Sequence, residues 1–226
     1  MFFFDSTIII LLPAIILTLY AQYKVKTVYI KYSKILPKSG LTGKEVAQEL
    51  LLQNNLGNIK IEPIEGKLSD HYDPRKKRLS LSHDVYYGKS LAAQGIVAHE
   101  IGHAIQDSVN YFPLILRSNL VPVTNIGSRM AIPLFLIGFL FSLPGLMDIG
   151  IIAFSLAVLF QVVTLPVEFD ASKRAVNLLI KGNIISDTEM NSVKKVLNAA
   201  ALTYVAAAAV AVMQLLRLIV LRNRRG

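Results

Sequence analysis

The run His99-Glu100-Ile101-Gly102-His103 places two imidazoles and a carboxylate at a spacing that suits metal chemistry. On an α-helix, positions i and i+4 share one face a turn apart, so His99 and His103 can offer ring nitrogens to a single ion. Glu100, one residue on, can reach a water held by that ion without ligating the ion itself. Zinc lowers the pKa of such a water to about 7, and the glutamate can take its proton during attack on a carbonyl. The stretch SLAAQGIVAHEIGHAIQD predicts a helix from Ser90 to about Asp107, with apolar Val97, Ile101 and Ile105 beside the polar residues. A lone histidine in such a helix is most simply a hydrogen-bonded core residue. Two of the chain's four histidines at this spacing, with a glutamate between them, favour a metal site.

The chain has no cysteine, which excludes disulfides, thiolate ligands and a cysteine nucleophile. A catalytic zinc needs a third protein ligand and one open position. Glu168 stands out among the candidates because it follows an apolar run, and a carboxylate at the exit of a membrane span is costly without a partner. The competing reading is a solvated acid opening a helix, where the helix dipole favours it. Asp170, turned by about 200° from Glu168 on a helix, reads as a solvated first-turn acid. His71 and Tyr72 either donate to a developing oxyanion or cap a hairpin. His83 reads as a surface residue.

The elements that must position these groups are visible in hydropathy and charge. Of the 226 residues, 53% are hydrophobic and only 17% are charged, more apolar and less charged than a typical soluble domain. The formal net charge of +9 fits a positive-inside bias and anionic lipid. No basic stripe interleaved with aromatics suggests nucleic-acid binding. Residues 2–20 are long enough for a span, and Lys24, Lys26, Lys31 and Lys34 follow directly, which predicts an outer N-terminus and a cytoplasmic domain after it. The uncharged runs 130–147 and 149–167, divided by Asp148 with Pro144-Gly145 as the turn, predict a transmembrane hairpin. A last uncharged stretch, 196–216, either crosses the membrane or lies in the interface. Crossing would place Arg217, Arg222, Arg224 and Arg225 outside, against the positive-inside rule.

Between the spans, Thr42 and Glu45 form a capping box that opens a helix over about 43–55, with Gly57 as its stop. Residues 58–63 and 78–82 alternate like strands, with a turn at Asp73-Pro74. Residues 168–181 predict a new helix, and Ser186 with Glu189 a second capping box. The resulting organisation is an N-terminal transmembrane helix (1–23), a first part of a cytoplasmic domain (24–125), a transmembrane hairpin (126–167), a second part of the domain carrying Glu168 (168–195), and a C-terminal membrane helix with a basic tail (196–226).

Several segments together resemble a known group. They are SDHYDP at 69–74, RLSLS at 78–82, YYG at 86–88, VAHEIGHAIQ at 97–106 and LPVEFDAS at 165–172. They are similar to the YugP-type neutral zinc metallopeptidases of bacterial membranes, and more distantly to the superfamily of the heat-shock membrane protease and the CAAX prenyl protease. The resemblance implies a mainly α integral membrane protein, with helical spans and a small α+β gluzincin-like catalytic domain. It implies one Zn2+ ion held by His99, His103 and Glu168, with Glu100 as general base. The implied partners are a membrane-associated peptide or protein substrate and the lipid bilayer of the cell membrane. The strand at 78–82 is implied to be an edge strand that pairs with extended substrate. The wider superfamily carries an aspartate four residues after its glutamate ligand, where this chain has Ser172. That leaves Ser172, Asp107 or a backbone carbonyl to orient the imidazoles. The alternative function is a non-catalytic zinc-binding membrane module that binds client proteins.

Overall fold

The computed structural model describes residues 6–224. The outermost parts of the expected first span and basic tail, residues 1–5 and 225–226, lie outside it. The protein is mainly α, with a small three-stranded sheet, and it is a membrane protein. Four stretches are long and apolar enough to cross a bilayer: Ser6–Tyr32, Phe112–Leu140, Pro144–Lys181 and Asp187–Asn223. The chain divides into two compact units. One comprises residues up to Gln22, Phe112–Pro166 and residues from Leu202 onward; the other comprises Tyr23–Tyr111 and Val167–Ala201.

The first unit is built from apolar helices: α1 (Leu12–Tyr32, entered through a 3-10 turn at Ser6–Leu11), α5 (Phe112–Leu140), α6 (Pro144–Lys181) and α7 (Asp187–Asn223). Ile16, Leu19, Phe112, Leu140 and Ile152 point outward, as helices solvated by lipid require. The α5–α6 hairpin turns at Phe141–Leu143, with Ser142 at φ 54°, and Pro144 is the first residue of α6 rather than part of the turn. Proline suits that first position because its missing N–H has no helical partner there anyway.

At one end of this unit, Arg217 is 4% exposed and donates through Nε to Thr7 Oγ1 at 3.1 Å. Arg222 donates to both oxygens of Asp148, at 2.8 and 3.1 Å. The N-terminal turn, the hairpin turn and the end of α7 therefore lie together, as an even number of crossings demands. Of the arginines that strain the positive-inside rule, Arg217 is engaged by Thr7, Arg222 by Asp148 and Arg224 by Ser6.

The second unit holds α2 (Gly43–Gln53), β1 (Lys60–Ile64), β2 (His71–Asp73), β3 (Arg78–Ser82), α3 (His83–Tyr86), α4 (Leu91–Ser108), the later part of α6 and the earlier part of α7. The capping box is formed: Thr42 N–H donates to Glu45 Oε2 at 2.7 Å, and Glu45 N–H donates to Thr42 Oγ1 at 3.2 Å. Asn55, not Gly57, takes the left-handed position after α2, at φ 58°. Asparagine tolerates that region better than most side chains. Ser186 donates from both N–H and Oγ to Glu189 Oε2 at the start of α7.

The sheet order is β1-β3-β2, with β1 parallel and β2 antiparallel to β3. The expected edge strand, 78–82, is thus the centre of the sheet. Its backbone is paired on both sides at Arg78, Leu79 and Ser80, and with β1 alone at Leu81 and Ser82. The edges are β1 and the three-residue β2. Leu50, Leu79, Leu81, Val97, Ile101, Leu179 and Val193 form the core beneath α4.

Candidate metal centre

Ser90 caps α4 by accepting the Ala93 N–H at 3.1 Å, and this sets the helical phase that carries His99 and His103 to one face. Their rings stand 4.8 Å apart between centroids and nearly perpendicular, at 85°. Gly102 lies between them because α6 passes there. A Cβ on Gly102 would sit 2.6 Å from the Ala171 carbonyl oxygen and 3.1 Å from Ala171 Cα. Only glycine permits that approach of two backbones, and it brings Glu168 to the histidines.

Glu168 does not open a helix. α6 continues through Pro166, so the carboxylate sits mid-helix and is 2% exposed. The readings of Glu168 and Asp170 as solvated first-turn acids are therefore corrected. The proline costs a backbone hydrogen bond within α6 without ending it, as in other long membrane helices.

Glu168 Oε2 lies 3.2 Å from His99 Nε2 and 3.5 Å from His103 Nε2. One ligand atom from each of the three residues falls within 4.8 Å of the others. A tetrahedral ion with bonds of about 2.0–2.1 Å needs ligand atoms roughly 3.3–3.4 Å apart. The donor set, two imidazole nitrogens and one carboxylate, suits zinc and leaves a position for water.

Behind the ring faces, each Nδ1 has a partner. His99 Nδ1 lies 3.2 Å from Ser172 Oγ, and His103 Nδ1 lies 3.0 Å from Gln106 Oε1. Ser172 thus meets an imidazole. Asp107 does not; it accepts from the Tyr72 hydroxyl at 2.7 Å and from Lys77 Nζ at 2.6 Å. Asp170 accepts from Gln106 Nε2 at 2.8 Å and from Arg174 Nε at 2.6 Å. His71 is exposed, with Nδ1 2.9 Å from the Ser69 carbonyl, and His83 is exposed beside Tyr87.

Glu100 is buried, and Tyr72 N–H donates to its Oε2 at 3.0 Å. Burial raises its pKa above the ordinary carboxylate value, with the two imidazoles opposing. Burial works against a charged His103, yet Glu168 and Glu100 outweigh it and raise its pKa.

Two contributors were not foreseen from sequence: Gln106 and the Tyr72 backbone. A glutamine three residues after His103 on an apolar helix face was the available signal for the first.

Residues 7–223 match the family described as "Putative neutral zinc metallopeptidase". The chain belongs to this zinc metallopeptidase family. It is 46% identical over 214 residues, 95% of either chain, to the "Putative membrane protease YugP" of Bacillus subtilis (strain 168). No solved structure matches the chain. The family match runs through the apolar helices as well as both segments that build the cluster.

Proposed function

We propose that this chain is a zinc-dependent metalloendopeptidase of the cell membrane, cutting membrane-associated peptides or proteins on the cytoplasmic side. His99, His103 and Glu168 hold one zinc ion, and Glu100 is the general base. The observation that carries the reading is the convergence of the two Nε2 atoms on Glu168 Oε2 at 3.2 and 3.5 Å, with Glu100 on the next helical position.

When bound, zinc acidifies a water and polarises the scissile carbonyl. The chain's own residues do the rest. Tyr72 N–H engages Glu100 Oε2, which leaves Oε1 to accept the proton of the attacking water. The same carboxyl then delivers a proton to the departing amine. The residues of 24–125 and 168–195 act as the catalytic domain, and the helices around 1–23, 126–167 and 196–226 hold it at the bilayer. The sheet edge beside Glu100 is β2, so an extended substrate would lie along β2 rather than β3.

The test is the zinc content of detergent-purified wild type against Glu168→Ala after dialysis. One zinc per chain, lost in the variant, supports the three-residue site. Full zinc in the variant removes Glu168 from it, and no zinc in either sinks the peptidase reading.

A further inference from the structure

Gln106 is 0% exposed, sits one turn from His103, and makes three side-chain hydrogen bonds. Its Nε2 donates to the Val167 carbonyl and to Asp170 Oδ2, both at 2.8 Å. Its Oε1 faces His103 Nδ1 at 3.0 Å. Two chemically opposite ends of one amide are thus assigned by what surrounds them.

A backbone carbonyl can only accept. Asp170, which also takes Arg174 Nε at 2.6 Å, is an acceptor too. Turning the amide over would set its oxygen against both of those oxygens, so the nitrogen must lie at that end. The oxygen then faces His103, and an amide oxygen only accepts. His103 Nδ1 must carry the proton. In the neutral ring, this leaves the lone pair on Nε2, the atom 3.5 Å from Glu168 Oε2.

His99 is not constrained in the same way, because the Ser172 hydroxyl can donate as well as accept. Val167 directly precedes Glu168, so the same amide also fastens α4 to the backbone beside the carboxylate.

We infer that Gln106 is a positioning residue, which fixes the tautomer of His103 through Asp170 and Val167 and so aims Nε2 at the ion. The inference rests on the zinc reading above.

The test is zinc affinity of the full-length protein in detergent, measured by competition with a chelator. Gln106→Met keeps the volume and loses the acceptor. Zinc binding should weaken by about 10–100-fold, the usual cost of removing a ligand's hydrogen-bond partner. Gln106→Glu places a carboxylate against Asp170 and should weaken binding too. Adding Asp170→Asn restores a donor–acceptor pair in reverse at that contact while the Val167 carbonyl still faces a carboxylate oxygen, so the double variant should bind zinc measurably more tightly than Gln106→Glu without reaching wild type.

A role in packing alone predicts instead that Met is tolerated best and that the second substitution rescues nothing. Wild-type affinity in Gln106→Met overturns the inference. If that variant does not purify as a monodisperse species, failure of the double variant to improve on Gln106→Glu overturns it. A wild type that binds no zinc fails at the earlier step and sinks the metal reading together with this one.

Discussion

Tyr72 donates its backbone N–H to Glu100 Oε2 at 3.0 Å, and its hydroxyl reaches Asp107 at 2.7 Å. Glu100 and Asp107 lie on α4 seven residues apart, about two turns, so Tyr72 is fastened along the helix at both ends. Burial and Asp107 together raise the phenol's pKa, so it remains a donor at neutral pH. Tyr72→Phe keeps the backbone bond but frees the strand from Asp107. We expect kcat on a peptide substrate to fall by about 3–10-fold, about 0.7–1.4 kcal/mol, a fraction of one hydrogen bond to a charged group because the phenol acts on the base only through the strand. Zinc content should not change. Steady-state kinetics on zinc-loaded protein measure this, and an unaltered kcat would mean that the phenol does not help to hold the base.

Glu100→Gln preserves the acceptor for Tyr72 N–H but cannot take a proton. Hydrolysis should drop by at least about 100-fold, as expected for loss of a general base, while zinc stays bound. Retained turnover in clean, zinc-loaded protein would end the assignment of Glu100 as base.

Gly102→Ala puts a methyl 2.6 Å from the Ala171 carbonyl oxygen, where neither partner is a flexible side chain. The helices must separate, at a cost of about 1–3 kcal/mol. Because the separation moves His99 and His103 away from Glu168, zinc affinity should fall along with the melting temperature. Gly95→Ala is the contrast. Its methyl meets Val193 Cγ1 at 3.1 Å, the end of a side chain, and the effect on zinc should be slight.

Asp70 supplies the pH dependence. Burial raises its pKa, and the Ser82 N–H and hydroxyl only partly offset this. Between the unfolded value, about 3.9, and the higher folded value, the native state holds a proton that the unfolded chain has released. Stability from this group therefore falls as pH rises through that window and is flat above it. Asp70→Asn has no such titration. Its melting temperature relative to wild type should rise from pH 4 upward and then level off. A difference independent of pH would show that Asp70 titrates alike in both states.

The local part of the site was legible because helical spacing is local. His99, Glu100 and His103 need only one helix to converge, and Ser90 marks its start. Glu168 was recognisable as a residue but not in its setting. Pro166 advertises a missing N–H, and sequence does not show whether neighbouring turns carry the helix past it. The strand 78–82 was visible by its alternation, but centre and edge differ only in what pairs alongside. β2, three residues long, has too few positions to alternate. Gln106 and the Tyr72 N–H owe their roles to partners far off in the chain, Val167 on α6 and Glu100 on α4. The left-handed turns fell on Asn55 and Ser142 where glycine-bearing segments were expected, since both residues accept that backbone at modest cost.

The bond between Thr7 and Arg217 joins positions 210 residues apart. A ribosome adding about 5–20 residues per second delivers Arg217 roughly 10–40 s after Thr7. During that interval the first helix lacks its Arg217 contact, and the hairpin likewise waits for Arg222 to meet Asp148. The membrane unit, drawn from three separate stretches of chain, can close only after the last of them, with Arg217 and Arg222, has been made.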